Sequence, residues 1–227
     1  MQLTRIIAIR HGETAWNVDT RVQGQLDIAL NPHGLWQAQR AAQTLADEEI
    51  AAIYTSDLAR AQQTASAIAA LKNCPLQTHV GLRERGFGSF EGKTHVQIAT
   101  ESPDDAKRWH QREPTWAPPG GESLLVMRER VAETVGTMAR AHPGQQIVVV
   151  AHGGVMDQLY RLATGQTLQA PRTWHLGNAA INRLLWTTEG FTLVGWGDVR
   201  HLDRSYDLNG QLQALDSAAA TGCADVG

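Results

Sequence analysis

Hydrophobic residues along this chain form short unbroken runs that alternate with longer stretches of helical periodicity. Residues 147–151 are consecutive apolar residues, mostly β-branched, and residues 3–9 contain a similar run, so both segments predict buried strands. Weaker patterns predict four more strands, the last two as a pair around the Glu189–Gly190 turn: 50–54, 76–80, 181–187 and 191–199.

The segments between these strands have the periodicity of amphipathic helices. Asn31 followed by Pro32 is typical of a helix start, and Ser56 is expected to cap a second helix that runs to about Leu71. A third helix is predicted over 122–141, with Glu122 and Ser123 at its start, and a fourth from Gly153 to about 163. Two of these helices have apolar positions at spacings of three and four: Leu35, Ala38, Ala42 and Leu45 in the first; Leu124, Met127, Val131, Val135 and Met138 in the third.

Strands that alternate with helices favour an α/β fold. We predict a three-layer sandwich, in which a mainly parallel central sheet has helices on both faces. Residues 1–216 are expected to form a single domain, with an irregular helical insertion at about 94–119 and a flexible tail over 217–227. Trp109 and Trp116 of the insertion are candidate walls of a binding pocket.

Composition narrows the classes of partner. The chain has 227 residues, of which 42% are hydrophobic and 19% charged, and its formal net charge is −3, as in ordinary globular proteins. This balance gives no general attraction to nucleic acid or to a membrane surface, so we expect neither as a partner. No apolar run approaches the roughly 20 residues of a membrane span, and Cys74 and Cys223 have no metal or redox spacing. We therefore expect a cytoplasmic protein.

Chemically active side chains follow the predicted strands directly. Arg10 and His11 follow the first strand, and Arg60 lies early in the helix after the second. Glu84 follows the third strand, and His152 follows the fourth. Because ligands of open α/β sheets bind beyond the carboxyl ends of the strands, we expect these side chains to converge at one edge.

This set of side chains suits phosphoryl transfer. Guanidinium groups match phosphate oxygens and keep their charge, and they also lower the pKa of a nearby histidine, which then stays a neutral nucleophile. Gly153 and Gly154 allow close approach of the backbone at a helix start, where N–H groups favour an anion. A carboxyl group such as Glu84 is able to protonate a leaving alkoxide.

The residues around His11 carry a resemblance to a known family. Residues 9–14, with Trp16 and Asn17, resemble the Arg-His-Gly signature of the histidine phosphatase superfamily in its phosphoglycerate mutase-like branch. Further segments similar to that family follow in its order, and the resemblance covers roughly residues 3–200: 23–24, 30–34, 55–65, 82–92, 120–123, 151–154 and 178–181.

The resemblance implies a role for each matching residue. His11 is implied to be the nucleophile that becomes phosphorylated, and Glu84 the proton donor and later the base. Arg10, Arg60 and His152 are implied to hold the phosphoryl oxygens. Asn17 and the backbone of Gly153 are implied to assist them, and Gln23 and Gly24 are implied to line the substrate side. No metal or cofactor belongs to this mechanism.

The sequence leaves three functions open, of which two are enzymatic and one is non-catalytic. Transfer to water makes a phosphatase of small phosphorylated metabolites, which we favour. Transfer to a second hydroxyl makes a phosphoglycerate mutase, which uses 2,3-bisphosphoglycerate as cofactor and needs extra cations in the insertion. Here Lys107, Arg108 and Arg112 are the only candidates for those cations. A non-catalytic protein that binds phosphorylated ligands is disfavoured, because the residues of the signature are all present.

We expect a small-molecule phosphate ester as the partner. The sequence names no particular ester, and it leaves open the oligomeric state, with a homodimer as one option. It also leaves open whether residues 94–119 cover the site.

Overall fold

A computed structural model describes residues 3–203 of the chain, and its centre is a six-stranded sheet. The strands lie in the order β3-β2-β4-β1-β5-β6. Their bounds are β1 Thr4–Arg10, β2 Ala52–Thr55, β3 Leu76–Thr78, β4 Gln146–Ala151, β5 Ile181–Thr187 and β6 Gly190–Asp198.

The first four strands are parallel, and the last two close the sheet as an antiparallel hairpin. The predicted mainly parallel α/β sheet is therefore confirmed. In the register between the central strands β1 and β4, Arg10 lies opposite Ala151. Both strands thus end at the same level, and the residues that follow them, His11 and His152, become neighbours.

Helices cover both faces of the sheet. Their bounds are α1 Ala15–Val18, α2 Pro32–Thr44, α3 Ala59–Lys72, α4 His95–Glu101, α5 Pro103–His110, α6 Leu124–Arg140 and α7 Gly153–Thr164. Helices α2 and α3 pack on one face against strand residues such as Ile7 and Val148. Helices α6 and α7 pack on the other face against the alternate residues, such as Ile6 and Val149. Short 3₁₀ turns occur over Val80–Leu82, Gly88–Phe90 and Arg200–Leu202.

The helix starts confirm some of the sequence signals and correct one. Asn31 caps α2 by accepting a hydrogen bond from Gly34 N, and Ser123 caps α6 by accepting one from Val126 N. Ser56 was expected to cap α3, but that helix begins at Ala59 with Leu58 at its N-cap. The amide of Ala59 instead donates to Asp27 Oδ1 at 2.7 Å, a cap from a distant loop that local sequence does not reveal.

The apolar face predicted for α2 is only partly correct. Ala38, Ala42 and Leu45 are buried, but Leu35 is 45% exposed. The buried face instead includes Gln37, whose Oε1 accepts a hydrogen bond from Glu13 N. On α6, every predicted core position is buried.

The insertion has a small core of its own. Helices α4 and α5 lie within it, and Phe90, Ile98 and Trp116 pack together between them and the preceding loop. Trp116 is therefore a core residue and not the pocket wall that was predicted. The tail predicted over 217–227 lies outside the described residues, as does Cys223. No helix within residues 3–203 is long and apolar enough to cross a membrane.

Candidate active site

His11 and His152 stand side by side where the two central strands end. The amide of His11 donates to the carbonyl oxygen of Ala151 at 2.9 Å, which continues the strand pairing by one residue. The two imidazole rings are 5.2 Å apart between centroids, and both side chains are buried. The parallel register thus brings together two histidines that are far apart in the sequence.

One hydrogen bond decides the tautomer of His11. Its Nδ1 lies 2.7 Å from the carbonyl oxygen of Gly12, and a carbonyl oxygen only accepts hydrogen bonds. Nδ1 therefore carries the proton, and Nε2 carries a free lone pair. That lone pair is what a nucleophile needs.

The surroundings of His11 favour its neutral form. Burial lowers the pKa of His11 well below its ordinary value, and the charges of Arg10 and Arg60 lower it further. The imidazole is therefore neutral at neutral pH, with its single ring proton on Nδ1.

His152 is neutral for similar reasons. Burial is the main cause that lowers its pKa, followed by the charge of Arg60. Within the described part of the chain, neither of its ring nitrogens has a hydrogen-bond partner. A buried polar group of this kind gains most from a ligand that supplies the missing bond.

Arg60 is held by the loop that carries two predicted binding residues. Its Nη2 donates to Gly24 O at 2.7 Å and its Nη1 to Leu26 O at 2.8 Å, whereas its Nε has no partner among residues 3–203. Burial lowers the pKa of Arg60 to about 10, so the guanidinium still carries its charge at neutral pH. A rigid cation thus lies beside the two histidines.

Arg10 is the second fixed cation. Its Nη1 donates to Leu176 O, and its Nε is buried without a partner in residues 3–203. Gly153, the first residue of α7, is so close that a Cβ placed on it would lie 3.5 Å from Arg10 Nε. Arg10 and the start of α7 therefore border the same space.

Glu84 is fixed at the N-terminus of α7. Its two carboxylate oxygens accept hydrogen bonds from Gly154 N at 3.0 and 3.1 Å, and Oε1 also accepts one from Arg85 N at 2.8 Å. A side chain at position 154 would displace the Glu84 carboxylate, because its Cβ would lie 2.2 Å from Glu84 Oε1. The backbone amide of Gly154 was predicted to favour a bound anion. In the structure it donates to the carboxylate of Glu84.

Two asparagines support the loop after His11. Asn17 Oδ1 accepts from Thr14 N at 3.0 Å, which caps the short helix α1. Asn178 Nδ2 donates to His11 O at 3.0 Å and to Asn17 Oδ1 at 3.2 Å. Asn178 was given no role from the sequence, although it lies in one of the segments similar to the family.

The other two predicted binding residues, Gln23 and Gly24, lie in the loop that holds Arg60. Gln23 is buried, and its Oε1 has no partner in the described ranges. Gly24 has a φ of +53°, and a Cβ there would lie 2.1 Å from Glu91 Oε1. Only glycine fits this turn, which presents its carbonyl oxygen to Arg60.

These residues open into a cleft of about 680 Å³. All the predicted site residues line it except His152, whose ring centroid is 5.2 Å from that of His11, a lining residue. Arg85 also lines the cleft, as do Asp157, Gln158 and Trp174, to which sequence reasoning gave no role in the site. Burial lowers the pKa of Arg85 to about 10, and its guanidinium lies 5.3 Å from the ring of Phe87.

The insertion forms part of the wall of the cleft. Trp109 lines it as predicted, stacked on His95 at 4.8 Å between ring centroids. Of the three insertion cations, only Arg112 reaches the cleft, and its Nη2 donates to Asp157 Oδ2 at 2.7 Å. Lys107 and Arg108 are exposed and do not line it, and Arg108 pairs with Glu113.

Metal ligands are not grouped in this part of the chain. Among the residues that the structure describes, no three His, Cys, Asp or Glu side chains are placed to hold one metal ion.

Comparison with known proteins identifies the family. A model of the histidine phosphatase superfamily (branch 1) matches residues 6–199. The chain belongs to this superfamily. The resemblance predicted from the motifs is thereby confirmed.

Similar proteins match most of the length of this superfamily member. Phosphoglycerate mutase-like protein 4 of Arabidopsis thaliana is 36% identical over 204 residues, which are 88% of this chain and 87% of the relative. A protein of the same plant named metal-independent phosphoserine phosphatase is also 36% identical, over 88% of this chain and 84% of its own length. The solved structure of Bacillus stearothermophilus YhfR has a TM-score of 0.81 and 31% identity, and the match covers 88% of this chain and all of that one.

Proposed function

We propose that this protein is a phosphatase that hydrolyses small phosphomonoesters through a phosphohistidine on His11. One observation carries the proposal: the His11 imidazole has its Nδ1 engaged by Gly12 O, and it lies among two guanidinium groups and a carboxyl group. A neutral imidazole in such a setting is an activated nucleophile.

In the first step, Nε2 of His11 attacks the phosphorus atom and the bond from phosphorus to the leaving oxygen breaks. Arg10, Arg60 and His152 donate to the phosphoryl oxygens, through nitrogens that have no partner within residues 3–203. Glu84, in its acid form, gives its proton to the leaving alkoxide, so the alcohol departs neutral. The phosphoryl group stays on Nε2.

In the second step, water attacks the phosphorus atom and the bond from phosphorus to Nε2 breaks. Glu84, now a carboxylate, takes the proton of the water and returns to its acid form. Phosphate leaves, and His11 is again neutral. Positioning and charge neutralisation by fixed arginines supply what metal ions supply in other phosphoryl-transfer enzymes.

The contacts of the three insertion cations, Lys107, Arg108 and Arg112, favour water over a second hydroxyl group as the acceptor of the phosphoryl group. A mutase must hold a bisphosphorylated intermediate, which needs further free cations. Arg112 is engaged by Asp157 and by Leu168 O, and Lys107 and Arg108 do not line the cleft. This arrangement supports a phosphatase, with phosphoglycerate mutase activity as the alternative.

No metal or other cofactor is part of the proposal. The name of the metal-independent relative agrees with such chemistry, in which arginines act as the cations. The partner that we propose is a small phosphate ester.

Two parallel assays test the proposal. One measures phosphate release from 3-phosphoglycerate and from a panel of sugar and nucleoside phosphates, with and without a chelator. The other follows conversion of 3- to 2-phosphoglycerate, with and without 2,3-bisphosphoglycerate. We expect phosphate release that withstands the chelator, with negligible isomerisation. Efficient isomerisation that depends on the bisphosphate would establish the mutase instead.

A further inference from the structure

The cleft continues past the catalytic groups into a second polar region on α7. Asp157, Gln158 and Trp174 line the cleft and are buried. Each has a polar side-chain atom with no partner in residues 3–203: Asp157 Oδ1, both amide atoms of Gln158, and Trp174 Nε1. Native proteins leave few buried polar atoms unsatisfied, so a group of them in one cleft indicates a ligand.

Helix geometry places this region at a defined distance from the reacting atoms. Asp157 and Gln158 follow Gly153 and Gly154 by four residues each, so they lie on the same face of α7, one turn or about 5.4 Å further along. Gly153 and Gly154 border Arg10 and Glu84. A phosphomonoester whose phosphoryl group lies beside Arg10 and Glu84 would reach this region with its alcohol part.

The charges around Asp157 select the kind of group that fits there. Arg112 and Arg161 both donate to Oδ2, at 2.7 and 3.0 Å, which leaves Oδ1 as an open acceptor. Arg172 also lines the cleft, and its charge acts on Arg161, so positive charge outweighs the single carboxylate in this region. An ammonium group would be repelled by this surplus of positive charge, whereas a neutral hydroxyl donor would not.

The other open atoms complement hydroxyl groups as well. The Gln158 amide offers a donor and an acceptor, as a hydroxyl group requires. Trp174 Nε1 offers a donor, and its ring is fixed by stacking on Tyr160 at 3.9 Å and by the Arg161 guanidinium at 4.8 Å. A rigid donor and a rigid acceptor bind without the cost of ordering a mobile side chain.

We propose that Asp157, Gln158 and Trp174 form a subsite for hydroxyl groups of the leaving alcohol, so that the enzyme selects polyhydroxylated phosphomonoesters. This inference rests on the proposed phosphatase function and names the substrate class of that site. Sugar and polyol phosphates have the required hydroxyl groups.

A matched series of substrates tests the subsite in the intact protein. Sorbitol 6-phosphate, hexyl phosphate and 6-aminohexyl phosphate share a chain length but carry hydroxyls, no polar group or an ammonium group. We expect kcat/KM for sorbitol 6-phosphate to exceed that for each of the others by about tenfold or more, as the loss of one or two hydrogen bonds implies. Equal values for sorbitol and hexyl phosphates, or a preference for the aminohexyl ester, would overturn the subsite.

A variant connects the preference to named atoms. Gln158→Leu is expected to lower the ratio of kcat/KM between sorbitol and hexyl phosphates about tenfold. Trp174→Phe keeps an aromatic ring without the N–H and should lower the ratio in the same direction, should Gln158→Leu not fold. Gln43→Leu, on the exposed side of α2, is the matched control and should leave the ratio unchanged. An unchanged ratio in the folded subsite variants would contradict the assignment.

Failure of the subsite is distinguishable from failure of the proposed function. If p-nitrophenyl phosphate and the whole series remain intact, the phosphatase proposal itself is wrong. If p-nitrophenyl phosphate is hydrolysed but the series shows no preference for hydroxyls, only the subsite is wrong.

Discussion

Glu84 is a carboxyl group held by two backbone amides beside the start of α7, which fixes where a proton can be delivered. Its neighbours Arg10 and Gly153 border the same space as His11. A proton donor in this position increases the rate most for a leaving group that is unstable as an anion.

Glu84→Gln is expected to lower kcat/KM for alkyl phosphates by about 10² to 10⁴, the usual range for a lost general acid. The loss for p-nitrophenyl phosphate should be much smaller, because p-nitrophenolate leaves without protonation. Steady-state kinetics on both substrates make the comparison, with Glu133→Gln on the exposed side of α6 as the control. Equal losses on both substrates would remove Glu84 as the acid.

The sequence predicted those residues of the site that come shortly after a predicted strand. His11, Arg60, Glu84 and His152 were found because the carboxyl ends of parallel strands share one edge. Asp157 and Gln158 escaped notice because they lie inside a helix, where a polar residue is ordinarily an exposed one. In the fold both are buried, and Arg112 of the insertion and Arg161 donate to Asp157.

Elements were predicted well where hydrophobic patterning alone decides them. Strand β4 is an unbroken apolar run, and helix α6 has a regular apolar face. The observed bounds of both elements agree with the predicted bounds within two residues. Helix α3 was mispredicted at its start, because its first amides are satisfied by Asp27 from another loop. Caps that come from distant parts of the chain leave no local signal.

Two leucines of the apolar face predicted for α2 give a prediction about stability. Leu45 is fully buried, so Leu45→Ala is expected to lower the free energy of unfolding by about 2 to 5 kcal/mol. Leu35 is 45% exposed, and Leu35→Ala should change it by no more than about 0.5 kcal/mol. Urea unfolding of the two variants measures the difference. Similar losses in both would show that Leu35 is a core residue, as the periodicity predicted.

Across the whole molecule, the buried histidines link stability to pH. Burial lowers the pKa values of His11 and His152 well below that of an unfolded histidine, 6.5. Below about pH 6.5 the unfolded chain therefore binds protons that the native protein does not. Stability from these groups is complete above that pH and is lost as the pH falls.

The expected slope is about 1.4 kcal/mol per pH unit for each histidine, starting near pH 6.5 and continuing downward. Urea unfolding between pH 7.5 and 5.5 should show His152→Gln losing less stability than the unchanged protein over this interval. His110→Gln, at an exposed position, should follow the unchanged protein. Parallel curves for all three proteins would mean that His152 titrates normally in the fold.

The sheet accounts for the site as a whole, because one register between β1 and β4 sets His11 beside His152, and the start of α7 beside Glu84. The sequence was sufficient to predict that these side chains meet at one edge of the sheet. It was not sufficient to predict how the insertion joins the wall of the cleft, since the pairing of Arg112 with Asp157 joins segments 45 residues apart.

The central claim is that the phosphoryl group passes through His11. The most direct measurement is a rapid quench in alkali during turnover of a radiolabelled phosphomonoester, followed by identification of the labelled peptide. We predict an acid-labile, alkali-stable phosphoryl group on His11, and no label or hydrolysis in folded His11→Asn. A phosphoryl group on another residue, or undiminished hydrolysis by that variant, would contradict the account.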